Sequence, residues 1–201
     1  MKTILVNTLF IGCIVLVSCK KHPVSINPNP ITPATDIVYT DFNNKLITQN
    51  PATHTYIDIN NDGKIDMSLG TILVGDFINK IDKLRFNVLT AINTALPVNV
   101  NDDVPPLQKG DLIPLESFNA QDWYSAVEIT VIERNEFVNG SIVWRGRWLG
   151  SNKLFLPFQI TINGKRHTGW LQISEDKTNN AIILHQIAYC KTPEKEIKAG
   201  Q

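Results

Sequence analysis

Short runs of β-branched and aromatic residues recur along this chain, separated by Asx-Gly turns, and that punctuation limits the fold more than any other feature. Residues 55–59 alternate polar and apolar side chains; 71–74, 126–132, 141–144, 155–162, 169–173 and 181–189 are further runs rich in Ile, Val, Thr and aromatics. Alternation with period two and β-branched enrichment mark strands. The breaks carry Asp62-Gly63, Asn139-Gly140, Asn163-Gly164 and the polar stretch 176–180. Asn-Gly between two such runs is a strong hairpin signal, because both residues accept positive φ. Runs spaced by about 8–12 residues predict an all-β fold: a single antiparallel β-sandwich, jelly-roll-like. Residues 77–89 fit a short helix or a strand. Residues 97–121, with their prolines and acids, predict a long surface loop, either a lid or an insertion.

The N-terminus reads as an address. Lys2 precedes a mostly apolar stretch, residues 4–17. That stretch is shorter than the roughly 20 residues a spanning helix needs, and it suits the apolar region of a cleaved export signal. Leu16-Val17-Ser18-Cys19 matches a lipobox, with Leu16 three before the Cys. An ordinary signal would favour small residues at the cleavage site instead. The expected division is a signal over 1–18, a lipidated Cys19 with a tether over 19–36, and the sandwich over 37–201. Two acyl chains give stable anchoring where one holds only marginally. The tether carries Pro23, Pro28, Pro30 and Pro33 among Asn and Thr, a composition that extends and cannot pack a core. Lys20 and Lys21 would sit near anionic headgroups.

Removing the signal takes away one cation, so the mature chain has a formal charge of −1. A nucleic-acid partner is not expected, since that would want a clustered basic face. Of three cysteines, Cys13 leaves with the signal and Cys19 takes the lipid. Cys190 then has no internal partner, so the fold stands on packing without a disulfide. Its expected role is that of a small buried apolar residue.

The sharpest chemical motif is Asp58-Ile59-Asn60-Asn61-Asp62-Gly63-Lys64-Ile65-Asp66. Hard oxygen donors at positions 1, 3 and 5 of a sharp turn suit Ca²⁺. The expected ligands are Asp58, Asn60, Asp62, the Lys64 carbonyl and Asp66. Gly63 supplies the positive φ that the turn demands. An EF-hand would place a bidentate Glu at position 12, where this chain has Leu69, and the flanks look like strands rather than helices. The motif therefore resembles the shorter calcium loops between β-strands, as in FG-GAP-type blades. The competing reading is an Asx-rich turn without metal. A bound cation would be structural, pinning a hairpin.

The order of motifs along the chain carries a wider resemblance. After the acidic loop come Gly164-Lys165-Arg166-His167-Thr168-Gly169-Trp170, then Ala188-Tyr189-Cys190-Lys191-Thr192-Pro193, then Ile197-Lys198-Ala199-Gly200. This is similar to a group of exported bacterial lipoproteins and surface-anchored proteins with a DxNxDGxxD loop, a Gly-Trp strand and a C-terminal AYxxTP…AG segment. Thr168 replaces the Tyr usual before Gly-Trp. The resemblance spans about residues 55–201 and implies a β-sandwich domain; it implies no activity.

Other candidates for chemistry have plainer readings. Trp144-Arg145-Gly146-Arg147-Trp148 would stack on sugars if exposed, but on a strand its two Trp share one face and its two Arg the other, the pattern of a core face and a solvated one. Trp170 has the same expectation. Glu116, Asp122, Glu128, Glu133 and Glu136 offer carboxylates for glycoside hydrolysis, yet no spacing selects a pair. His167 and His185 belong to no metal or nucleophile signature. The expected function is a non-catalytic binding or structural module of the cell envelope. It would be anchored in the outer membrane on the periplasmic face, with one structural calcium and a glycan or protein ligand. The second reading is a carbohydrate-binding or hydrolytic accessory lipoprotein.

Overall fold

In the computed structural model, residues 36–201 are described; the expected signal, Cys19 and the expected tether up to residue 35 lie outside them. The described residues form strands β1 (Ile37–Ile47), β2 (Thr55–Ile57), β3 (Met67–Asp76), β4 (Ile81–Thr90), β5 (Thr94–Val98), β6 (Leu112–Ile113), β7 (Asp122–Ser125), β8 (Glu128–Phe137), β9 (Ile142–Arg145), β10 (Leu154–Ile162), β11 (Lys165–Asp176), β12 (Ala181–Cys190) and β13 (Ile197–Lys198). A six-stranded sheet runs β1-β12-β11-β10-β5-β7 and a five-stranded sheet runs β2-β3-β4-β8-β9. Every pairing is antiparallel. The all-β sandwich is thus present. Within it, β2-β3-β4 and β10-β11-β12 are meanders inside one sheet, each strand returning beside its predecessor.

Local chemistry explains the hairpins. Asn163 and Gly164 both take positive φ, and Ile162 pairs directly with Lys165 across them. The β3–β4 and β11–β12 turns repeat one device. Asp76 accepts from the backbone and side-chain nitrogens of Asn79, and Asp176 does the same with Asn179. The Asn79 amide, helped by the Lys83 ammonium, holds the Asp76 carboxyl well below the ordinary carboxylate range. Residues 77–89 resolve as this turn and β4. Their apolar residues fit a helix or a strand, and in β4 Leu84 and Phe86 face the core while Lys83 and Arg85 pair with Asp76 and Glu133.

The sandwich core lies between the sheets. Met67, Leu69, Leu84, Phe86 and Val88 from one meet Leu156, Phe158, Ile160, Leu171 and Ile173 from the other. Phe158 pairs with Gly169, and a Cβ on that glycine would collide with the Phe158 ring and stand 2.6 Å from the Ala188 carbonyl oxygen. The aromatic therefore occupies the space that the glycine leaves.

β10 is apolar on both faces because the six-stranded sheet is covered on both. On its outer face Phe155, Trp170, Ala188 and Cys190 form a second apolar cluster with Ile113 and Ile197 of the β6–β13 ribbon, Leu107 and Ala199. The expected surface loop over 97–121 is thus in part a cover, since Leu107 and Ile113 are buried in this layer, while Val104 packs in the sandwich core. The C-terminal segment closes the same layer.

Candidate functional site

The acidic loop joins β2 to β3. Its base is closed by Ile57↔Met67 pairing and by the Asp66 N–H donating to the Ile57 carbonyl at 2.9 Å. Ile59 is buried and roots the loop in the core. Asn61 and Gly63 take φ of 59° and 86°, which turn the chain sharply. Asp58 accepts from the N–H of Asp62 at 3.1 Å and of Gly63 at 2.7 Å. Asn60 Oδ1 also accepts from the Asp62 N–H, and Asp62 Oδ1 accepts from the exposed Lys64 N–H at 3.0 Å. Asn60 Nδ2 donates to Asp62 Oδ2 at 3.3 Å. The side chains of positions 1, 3 and 5 are therefore gathered round one turn.

Asp66 is placed differently. It is fully buried. One carboxylate oxygen accepts from the Ile59 N–H at 2.7 Å, the other from the Asn93 side-chain amide. Its carbonyl accepts from the Ala91 N–H at 2.8 Å. Asp66 thus clips the loop to the β4–β5 turn, 27 residues away. Among the described residues no three His, Cys, Asp or Glu side chains are grouped as a metal cluster. What converges at the turn is two carboxylates and an amide, a hard-oxygen set of the kind calcium takes. Cys19 lies outside the described residues.

The aromatic candidates are structural. β9 stops at Arg145, and Gly146 at φ 120° sits so close to the Val131 carbonyl that a Cβ there would be 2.6 Å from its oxygen. The chain then turns Trp148 into the core, where its indole N–H donates to the Val104 carbonyl at 3.1 Å. Trp144 stays half-buried, stacked on Phe86. Trp144, Gly146 and Trp148 therefore do not share one strand face. Trp170 is buried edge-on against Phe155.

The titratable candidates are dispersed except for Glu116 and Asp122, which border one groove. Glu116 pairs with Arg166, Glu133 with Arg85, and Glu136 with Arg134, while Glu128 accepts from Asn87. His167 is buried against the Cys190 carbonyl at 2.8 Å. Burial pushes the Cys190 thiol up from its ordinary range, which favours the protonated, unreactive form. His185 stands at a β-bulge where β11, β12 and β1 slip register. Its Nε2 meets Ser174 Oγ and its Nδ1 meets Asn44 Oδ1, both at 2.7 Å. That is the bonding order of a Ser–His–Asn relay, but Ser174 is only 5% exposed and its Oγ also accepts the Lys153 N–H. The network pins the bulge. Burial, with Lys153 nearby, lowers the His185 pKa from the ordinary histidine value.

The sequence motifs do not reveal the Asp66–Asn93 clip, because its partners lie in separate segments and neither motif names the other. Comparison with protein-family models, curated proteins and solved structures finds no match.

Proposed function

We propose that this protein is a cell-envelope lipoprotein, anchored through Cys19 in the outer membrane on the periplasmic face. Its β-sandwich serves as a non-catalytic binding or structural module. A structural Ca²⁺ sits in the acidic loop, held by Asp58, Asn60, Asp62 and the Lys64 carbonyl, with Asp66 at the ninth position. The observation that carries the calcium reading is the gathering of the Asp58, Asn60 and Asp62 side chains round one turn. Two carboxylates on so short a loop repel each other, and a divalent cation would relieve that repulsion. The lipobox and the proline-rich tether support the anchor. Residues 20–36, which follow Cys19, reach about 60 Å at full extension, enough to hold the sandwich clear of the headgroups.

Two measurements test this reading. Calcium modules outside the cell bind at about 10⁻⁴–10⁻³ M, so 10 mM calcium would add about 1.4–2.7 kcal/mol over EGTA by mass action. That raises the thermal midpoint by about 3–10 °C for a domain of this size. Asp62→Ala abolishes the shift; an unchanged midpoint in the parent protein would remove the site. Separately, Cys19→Ala moves the protein from the membrane pellet to the soluble fraction, and its retention in the pellet would refute the anchor.

A further inference from the structure

The outer face of the six-stranded sheet is covered by the β6–β13 ribbon only in part. Toward the β7 edge it opens into a groove of about 440 Å³. Ala95 and Ser125 pair across β5 and β7, and together with Thr161 these small residues keep the groove deep. Trp123 lines it as a wall. Its indole N–H donates to the Glu116 carbonyl at 3.3 Å and its ring meets Phe118 at 6.0 Å, so the aromatic is held before any ligand arrives. Arg166 lines the opposite side.

The charge of the groove selects among ligands. The Arg166 guanidinium is already engaged by Glu194 at 2.8 Å, Glu116 at 3.1 Å and the Leu115 carbonyl at 3.1 Å. Those contacts hold its pKa above the ordinary arginine value, and the two glutamates outweigh its charge. Ser125 and Thr161 line the groove with side chains that have no hydrogen-bond or ion-pair partner among the described residues. An anion would meet excess negative charge here. A ligand with many hydroxyls and apolar C–H faces would find an aromatic wall and, from Ser125 and Thr161, two hydroxyls that donate or accept. A cavity of this size falls in the range of small-ligand sites.

We propose that this groove binds a neutral saccharide, with Trp123 stacking on a sugar ring and the Ser125 and Thr161 hydroxyls bonding to its hydroxyls. The assignment rests on the binding-module reading and is independent of calcium and anchor. The test uses the full chain with cellohexaose, maltohexaose and N-acetylchitohexaose as neutral probes and hexagalacturonate as the anionic one, read by saturation-transfer NMR and calorimetry. At least one neutral oligomer is expected to bind saturably below about 10 mM. Thr161→Val and Ser125→Leu each weaken it about tenfold with the fold intact by circular dichroism. Phe77→Ala, at a fully solvated hairpin tip, leaves it unchanged. Absence of binding by every neutral oligomer overturns the proposal, as does binding that survives both groove variants. Binding of hexagalacturonate alone overturns the neutral-sugar assignment while leaving a binding module in place.

Discussion

Phe158→Ala is expected to lower the unfolding free energy by about 3–5 kcal/mol, read as a lower urea midpoint at unchanged slope. Phe158 is fully buried at the centre of the sandwich, and its ring fills the space above Gly169. Truncation leaves a cavity bounded by that glycine, which has no side chain to move into it. The reciprocal change, Gly169→Ala, costs about 1–3 kcal/mol or more by overpacking. Combining it with Phe158→Leu recovers only part, because the Ala188 carbonyl oxygen still stands 2.6 Å from the new Cβ. Full recovery in the double variant would mean that the ring is the only obstacle.

Asp66→Ala has the second large effect. It leaves the buried Ile59 N–H and the Asn93 amide without their acceptor, at about 1–3 kcal/mol for each unsatisfied group. A loss of about 2–5 kcal/mol is expected, and it persists in EGTA because the clip is made within the protein. Asp58→Ala separates the two roles. Its loss in calcium shrinks in EGTA to the small effect of an Asx turn. If the Asp66→Ala loss also vanished in EGTA, Asp66 would act only through a metal.

Sequence legibility follows the range of the interaction. Asn163-Gly164 specifies its hairpin because both residues adopt the positive φ that a two-residue turn requires. The acidic loop is equally local, its side chains bonding to backbone two to five residues on. Residues 77–89 stay ambiguous because Ile78, Ile81, Leu84 and Phe86 fit either period until a second sheet decides which face is inside. The strand face expected for Trp144, Gly146 and Trp148 fails because the close backbone approach at Gly146 ends β9 early.

The sequence alone determined an all-β chain, its principal turns, an acidic loop with calcium-type spacing, and a lipobox-like pattern at Leu16–Cys19, because each rests on residues adjacent or nearly adjacent in the chain. Tertiary structure decided that Leu107, Ile113 and the C-terminal segment form a cover, that Asp66 reaches across to Asn93, and that Trp123, Ser125, Thr161 and Arg166 line one groove. Those features depend on which strands pair across the sheet, and pairing is settled by the burial of two apolar faces at once, which no single segment carries.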